Sequence, residues 1–186
     1  MNLSLILASG SPRRQLLLQQ FDIPFEVVVA DVDETPLSSE SPGEMTVRLA
    51  IKKAKAVGEK MGSGYRVLGG DTTVAIDGDI LGKPQDVAEA RSMLRRLSGA
   101  THQVYSGVAL YMHGVCRTRL STTNVTFYEL SEQAIEVYCN TDDPYDKAGG
   151  YGIQSGAGEF VSSLDGSYSG VVGLPLWETH QLLFGK

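Results

Sequence analysis

The 186-residue sequence predicts an α/β fold whose sheet is mixed. Apolar, β-branched runs alternate with segments that carry helix-capping patterns, which is typical of α/β domains. Hairpin signals such as Asp77-Gly78 lie among these units, so we expect antiparallel as well as parallel strand pairs. The length suits one domain, or two small lobes, that bury roughly two-thirds of the unfolded surface.

The first half of the chain repeats an order of strand, loop and helix. The apolar run from Leu5 ends in small residues, and Ser11-Pro12 then supplies an N-cap and a proline at the first helical position. The capping box Ser41-Pro42-Gly43-Glu44 predicts a second helix that runs to about Met61. Further strands are predicted at Phe25–Ala30, Val67–Ile76 and, after the turn at Asp77-Gly78, Ile80-Leu81.

The second half predicts more helices and a long hairpin. Asp86 and Glu89 form a capping-box pattern for a helix that Gly99 closes after Leu97. Residues 142–158 are rich in glycine and show no period, so no regular element is predicted there. The other predicted elements are strands Thr101–Met112 and Val115–Tyr128, a helix from Ser131 through Tyr138, a short strand before Asp165-Gly166 and a last helix after Pro175.

Composition limits the classes of function. The net charge of −6 argues against a general nucleic-acid surface, because binding to phosphates needs a basic field. Twelve of the 16 lysines and arginines nevertheless lie in residues 13–96, so we expect a local cationic pocket for a small anion. Cys116 and Cys139 fit neither a disulfide framework nor a metal-ligand spacing, which favours the cytoplasm. With no spanning apolar run and no N-terminal signal, no membrane partner is expected.

Residues 9–14 indicate an anion-binding helix N-terminus. Unpaired backbone N–H groups and the helix dipole attract negative charge, and Arg13 and Arg14 add two positive charges. The alternative for both arginines is a solvated first turn. Other polar clusters stand at predicted element ends, where sites usually form. They are Asp31, Asp33 and Glu34; Asp71, Thr72 and Lys83; and Asp146, Lys147 and Gln154.

Asp71 is the most informative single position, because a carboxylate inside an apolar strand is costly to bury unless it is paired or binds a metal. The alternative is an aspartate at a bulge or strand end that bonds to nearby backbone. Lys52, Lys53 and Lys55 lie on an amphipathic helix, where lysines normally form the solvated face. At most one of them is expected to point inward.

A competing hypothesis concerns Asp31-Val32-Asp33-Glu34-Thr35, which resembles the first motif of the haloacid dehalogenase-like phosphatases. In those enzymes the first aspartate, here Asp31, becomes a phosphoaspartate. They also need an acidic pair after another strand, whereas Asp142-Asp143 follows a predicted helix. We therefore disfavour this hypothesis.

Six ordered blocks of the sequence resemble the Maf family and together span essentially the whole chain. Their order and spacing are far more specific than any one block. The blocks are Leu7–Arg14, Leu49-Ala50-x-x-Lys53-Ala54, Gly70-Asp71-Thr72, Gly82-Lys83-Pro84, Leu97-Ser98-Gly99-x-x-His102-x-Val104 and Asp146-Lys147-Ala148-Gly149-x-Tyr151-x-Ile153-Gln154.

The resemblance implies a fold related to the inosine triphosphate pyrophosphatases, in which residues 1–186 form one domain with two lobes around a central cleft. It also implies a nucleoside triphosphate pyrophosphatase that cleaves between the α- and β-phosphates with a divalent metal, Mg²⁺ or Mn²⁺. Thr72 and Gln154 match the dTTP/UTP pyrophosphatase branch. Family members remove non-standard or excess nucleotides and are linked to arrest of cell division, so an idle nucleotide-binding regulator of division is a further alternative.

The resemblance matches the site residues position by position, with Asp71 at the proton acceptor. From their charge, Glu34 and Asp71 would hold a metal, so Asp71 is expected as base, as metal ligand or as both. A homodimer is expected, because it is the common state of soluble enzymes of this size. The other matched positions are Arg13, Thr72 and Gln154 for specificity, Ser9, Arg14, Lys53 and Lys83 for the phosphates, and Asp146 and Lys147 elsewhere in the site.

Overall fold

A computed structural model describes residues 3–185 of the chain. Within that range the chain forms seven strands, six α-helices and three short 3₁₀ helices. The strands are β1 (Ser4–Leu7), β2 (Phe25–Val27), β3 (Tyr65–Ile76), β4 (Asp79–Leu81), β5 (Thr101–Met112), β6 (Val115–Phe127) and β7 (Val161–Asp165). The helices are α1 (Pro12–Gln19), α2 (Pro42–Met61), α3 (Val87–Leu97), α4 (Glu132–Cys139), α5 (Tyr168–Val172) and α6 (Leu176–Phe184), and the 3₁₀ helices are Asp143–Asp146, Ala148–Gly150 and Gly156–Phe160.

All seven strands belong to one mixed sheet in the order β2-β1-β3-β5-β6-β7, with β4 paired to β3. β1 is parallel to both of its neighbours, whereas β3, β5, β6 and β7 run antiparallel. The two parallel pairs arise because α1 and α2 connect the first three strands, and the antiparallel pairs follow the hairpins. The predicted mixed α/β fold is confirmed.

The long strand β3 organises the sheet. On one side it pairs with β5 in unbroken register from Val67 to Ala75. On its other side, β1 pairs only as far as Leu68, and β4 begins to pair only at Val74. The edge of β3 is therefore uncovered between these two partners, and Asp71 lies in the middle of that gap. Because the register passes Asp71 without a shift, the alternative of an aspartate at a bulge is wrong.

Hydrophobic side chains form separate clusters at the two ends of the long strands. At one end, α3 and α4 pack on the sheet through Leu94 and Ile135. At the other end, Leu5 packs with α1, α5 and α6, while the next residue, Ile6, packs with α2. Successive side chains of a strand point to opposite faces, so helices cover both faces of the sheet there. A cleft separates the two ends.

Helix caps agree with the sequence patterns in most places. Ser11 caps α1, and Ser41 and Glu44 form both bonds of the predicted capping box of α2. At α3 only one of the two bonds forms: Asp86 accepts from the N–H of Glu89, but the Glu89 carboxylate accepts from the N–H of Gln85 instead of Asp86. The hairpin turn at Asp77-Gly78 is confirmed, and both residues have positive φ.

The structure differs from the predicted elements in three places. β2 ends at Val27 instead of Ala30, because its partner β1 ends at the paired residue Leu7. Two 3₁₀ helices and the start of a third, Gly156–Phe160, lie in residues 142–158, where no regular element was predicted. The short helix α5 was not predicted; Ser167 caps it by accepting a hydrogen bond from the N–H of Gly170.

Candidate active site

The cleft has a volume of about 1150 Å³ and opens over the uncovered edge of β3. Its walls come from the loop after β1, the segment before α2, β3, β4 and the loop that follows α4. The structure brings all the predicted site residues together in this lining: Ser9, Arg13, Arg14, Glu34, Lys53, Asp71, Thr72, Lys83, Asp146, Lys147 and Gln154.

Arg14 lies in the first turn of α1 and is fully engaged with the protein. Its Nε donates to the carbonyl of Gly173 at 2.9 Å, and its Nη atoms donate to Ser9 Oγ and Thr72 Oγ1 at 3.3 Å each. Burial lowers the pKa of Arg14, and the charge of Asp71 opposes that change. The alternative of a solvated first turn is therefore wrong for Arg14. This guanidinium joins α1, β3 and the residue after α5 beneath the cleft.

Arg13 instead reaches across the cleft. Its Nη1 donates to Asp146 Oδ2 at 2.8 Å, and Asp146 also accepts from Lys147 Nζ. Burial alone would raise the pKa of Asp146, but the hydrogen bonds and charges of Lys147 and Arg13 outweigh it and lower that pKa. The Arg13–Asp146 ion pair thus connects the wall formed by α1 to the wall formed by the loop after α4.

Lys53 and Asp71 are the most buried charged side chains in the cleft, and the more exposed Glu34 pairs with Lys53. Lys53 and Asp71 are only 8% and 7% exposed. Lys53 Nζ donates to Asp71 Oδ1 at 2.7 Å and lies 2.7 Å from Glu34 Oε1. Burial tends to raise the pKa of Glu34, but the hydrogen bond and charge of Lys53, with smaller contributions from other cations, lower it overall. One ammonium is therefore shared by two carboxylates, and the group keeps a net negative charge.

The close packing of α2 on β3 places Lys53 over Asp71. A Cβ atom on Gly69 would lie 2.4 Å from the carbonyl oxygen of Ala50 and 2.7 Å from the amide nitrogen of Ala54. Only glycine therefore allows α2 to approach β3 this closely. Of the three lysines at 52, 53 and 55, only Lys53 is buried, as expected for an amphipathic helix with one inward-facing lysine.

The donor set fits a hard divalent cation. Carboxylate oxygens are the ligands that Mg²⁺ and Mn²⁺ prefer, and Mg²⁺ is commonly held by one or two carboxylates with water and substrate phosphates. Glu34 and Asp71 both reach one point, which the Lys53 ammonium occupies. Within residues 3–185 no group of three or more His, Cys, Asp and Glu side chains is arranged to hold a metal. A cation between Glu34 and Asp71 would therefore have to displace Lys53.

The remaining predicted residues line the cleft with open side chains. Lys83, after β4, and Gln154, in the loop after α4, are both exposed. Neither side chain hydrogen-bonds to the protein within residues 3–185, which leaves both available to a ligand. Thr72 follows Asp71 on β3, and its hydroxyl accepts from Arg14 and also lies 3.4 Å from Ser106 Oγ.

Sequence reasoning missed Asp143 as a site residue. Its carboxylate lines the cleft and accepts hydrogen bonds from the side chains of Tyr138, Lys147 and Ser155. The available signal was a lysine four residues after an aspartate, but that spacing is common on exposed helices and did not stand out.

Asp31 does not take part in this arrangement. It is exposed and lies outside the cleft lining. Asp142 and Asp143 follow α4 and not a strand, as the sequence predicted. Asp142 and Asp143 therefore do not supply the acidic pair after a strand that a phosphoaspartate phosphatase needs.

A buried histidine supports one wall of the cleft from behind. His102 is 1% exposed, and its Nε2 lies 2.7 Å from the hydroxyl of Tyr151, which lines the cleft. The rings of His102 and Tyr151 also meet edge to face, with centroids 5.3 Å apart. Burial lowers the pKa of His102 to about 4, so the imidazole is neutral at pH 7. His102 therefore supports Tyr151 by packing and hydrogen bonding.

This pKa predicts acid sensitivity. A free histidine titrates near 6.5, so between about pH 6.5 and pH 4 the unfolded chain binds more protons than the folded one, and stability falls as the pH is lowered. From His102 alone, we expect a loss on the order of 3 kcal/mol between pH 7 and pH 4. Urea unfolding of the wild type and His102→Gln at both pH values would measure it. Equal losses in the two proteins would contradict the assignment.

The fold and the cleft together define a class: an α/β protein whose cleft brings arginine and lysine side chains together with a buried carboxylate, suited to a small phosphorylated ligand. The chain belongs to the Maf family, because the family model described as Maf-like protein matches residues 4–185. The resemblance of the six sequence blocks is thereby confirmed.

Curated relatives agree with this membership. The chain is 52% identical to the dTTP/UTP pyrophosphatase of Bacillus cytotoxicus, over 92% of this chain and 89% of the relative. It is 49% identical to the dTTP/UTP pyrophosphatase of Vibrio cholerae over 96% of both chains, and 51% identical to that of Symbiobacterium thermophilum over 96% and 92%. Among solved structures, the Staphylococcus aureus Ham1 protein matches 67% of this chain and 71% of its own, with 16% identity and a TM-score of 0.46.

No helix within residues 3–185 is long and apolar enough to cross a membrane.

Proposed function

We propose that this protein is a nucleoside triphosphate pyrophosphatase, a single two-lobed domain that hydrolyses dTTP and UTP to the monophosphate and pyrophosphate. The observation that carries the proposal is the buried Asp71, paired with Lys53, in a cleft that also holds Arg13 and Lys83. Relatives named dTTP/UTP pyrophosphatase, about half identical over nearly the whole chain, support the substrate.

The proposed hydrolysis uses both the negatively and the positively charged side chains in the cleft. Water attacks the α-phosphorus as the bond to the bridging oxygen breaks, so the water loses a proton and pyrophosphate leaves with the negative charge. Asp71 is the proposed acceptor of that proton, which requires hydrogen-bond reach to the water. Ser9, Arg14, Lys53 and Lys83 are proposed to hold and neutralise the triphosphate. Asp146 and Lys147 complete the wall that faces them.

A divalent cation, Mg²⁺ or Mn²⁺, is the proposed cofactor, with Glu34 and Asp71 as its protein ligands. Such an ion supplies positive charge to the triphosphate oxygens. If an ion took the place of the Lys53 ammonium between Glu34 and Asp71, that ammonium would be free to pair with phosphate.

Selection of the base is proposed to depend on Arg13, Thr72 and Gln154. A site that hydrogen-bonds a particular base edge discriminates strongly, because the wrong base leaves its buried polar groups unpaired. Gln154 is exposed in the cleft and has an amide that donates and accepts, as the edges of uracil and thymine require.

We also propose that the protein acts as a cytoplasmic homodimer that removes dTTP, UTP or modified pyrimidine nucleotides from the nucleotide pool, and that this activity is linked to cell division. The free thiols of Cys116 and Cys139 suit a reducing compartment. The size of the chain suits a dimer.

A panel of nucleoside triphosphates with Mg²⁺ would test the activity. We expect pyrophosphate release that is fastest with dTTP and UTP. Release of orthophosphate from UTP would contradict the proposal, and a covalent phosphoenzyme lost in Asp31→Asn would favour the phosphatase alternative. Tight binding of dTTP without turnover, unchanged in Asp71→Asn, would favour an idle regulator.

A further inference from the structure

The residue proposed to read the base, Gln154, lies on a short turn, residues 152–155, whose two ends are both connected to Asp143. At the first end, the N–H of Gly152 donates to the hydroxyl of Tyr138, which in turn donates to Asp143 Oδ2. At the last end, the hydroxyl of Ser155 contacts the same Oδ2. The turn itself is closed by a bond from the N–H of Ser155 to the carbonyl of Gly152. One carboxylate oxygen thus connects both ends of the turn.

The second oxygen of the same carboxylate fixes the neighbouring lysine. Lys147 Nζ donates to Asp143 Oδ1 at 2.9 Å and to the Asp143 carbonyl at 2.6 Å. Lys147 also donates to Asp146, the partner of Arg13 across the cleft. Asp143 therefore binds Lys147 as well as the two ends of the turn that carries Gln154.

The turn lies close to two of the side chains that Asp143 binds. A Cβ atom on Gly152 would lie 2.5 Å from Ser155 Oγ and 2.7 Å from Lys147 Cε. Ser155 and Lys147 therefore pack directly against the backbone of the turn that carries Gln154.

The charge of Asp143 sets the direction of every hydrogen bond in this group. Burial would raise the pKa of Asp143, but the hydrogen bonds from Ser155, Tyr138 and Lys147 lower it, so the group is ionised near neutral pH. An ionised carboxylate only accepts, so the two hydroxyls must both donate to it. The Tyr138 oxygen is then left to accept from Gly152, as observed.

We infer that Asp143 is a positioning residue for base selection: it holds the turn 152–155 so that Gln154 meets the pyrimidine edge. The inference rests on the proposed function, because it concerns selection among nucleoside triphosphates. Asp143 need not touch the substrate for this role.

The test compares base preference in single and double variants. Asp143→Asn keeps the shape but has one acceptor oxygen, so an NH₂ group faces either Lys147 or the two hydroxyls. We expect the ratio of kcat/KM for UTP over CTP to fall about tenfold, mainly through a higher KM for UTP, while kcat changes little. Gln154→Ala should lower the same ratio. The double variant should be no less selective than Gln154→Ala alone, because Asp143 acts through Gln154.

Controls separate positioning from general damage. Asp142→Asn removes the same charge one residue away, where no side-chain hydrogen bond within residues 3–185 depends on it, and should leave the ratio unchanged. Ser155→Ala breaks one connection to the turn without changing charge, and should lower the ratio to a smaller extent. Thermal unfolding of each variant checks that the fold is retained.

Several outcomes would overturn the inference. An unchanged ratio in Asp143→Asn, an equal loss with UTP and CTP, or additive losses in the double variant would each remove Asp143 from base selection. A wild type that releases pyrophosphate from UTP but does not prefer it to CTP would also overturn it. No pyrophosphate from any triphosphate would instead refute the proposed function.

Discussion

Asp71→Asn is expected to lower the turnover of UTP by roughly 10²- to 10⁴-fold, the loss typical when an acid–base group is removed. Asparagine has nearly the same shape but cannot take the proton from water. Lys53 would still have Glu34 as a partner, so folding should be retained. Pyrophosphate release at saturating UTP measures the effect, and circular dichroism checks the fold.

The exposed Asp31, outside the cleft, offers a matched control for Asp71. Asp31→Asn should turn over UTP at the wild-type rate. Wild-type turnover in Asp71→Asn would remove the assignment of Asp71 as the base. A loss in Asp31→Asn alone would instead point to phosphoaspartate chemistry.

Lys53→Met is expected to cost about 3–5 kcal/mol of folding stability in metal-free buffer, because it leaves the buried Asp71 without its charge partner. The ion pair with Glu34 adds less, since that side chain is about half exposed. Mg²⁺ should restore more stability to the variant than to the wild type, since the ion no longer competes with the ammonium. Urea unfolding with and without Mg²⁺ measures both effects.

The exposed Lys55, on the same helix, provides the control for this experiment. Lys55→Met should change stability by no more than about 0.5 kcal/mol, with or without Mg²⁺. If Mg²⁺ stabilised Lys53→Met and the wild type equally, a cation site between Glu34 and Asp71 would be contradicted. A Lys53→Met protein as stable as the wild type would contradict the role of Lys53 as the charge partner that stabilises the buried Asp71.

Local signals in the sequence were sufficient to predict most helices and strands and to predict which residues line the cleft. The capping box at Ser41 and the turn at Asp77-Gly78 depend on nearby residues only, so they could be predicted without the fold. Asp71 stood out because a carboxylate in an apolar run is costly wherever it is buried. Helix α5 was missed because Gly170 and two adjacent valines have low helix propensity, and its support comes from Ser106, 64 residues away.

The pairings inside the cleft could not be predicted. Lys53 bridges Asp71 and Glu34 because α2 packs closely on β3 at Gly69. No local sequence pattern encodes that close packing. Arg13 and Asp146 are 133 residues apart in sequence, and their contact exists only when the fold brings both walls together. Assignment to individual roles, such as metal ligand or phosphate contact, stays a prediction.

The unbroken pairing of β3 with β5, and of β5 with β6, has a mechanical consequence. These strands run from one hydrophobic cluster to the other, so the two ends of the molecule cannot rotate about a flexible linker. A wide hinge motion would have to break ladder hydrogen bonds. We therefore expect entry and release of a ligand to depend on side chains and on the segments that border the cleft, residues 28–41 and 142–158, and less on the sheet beneath Asp71.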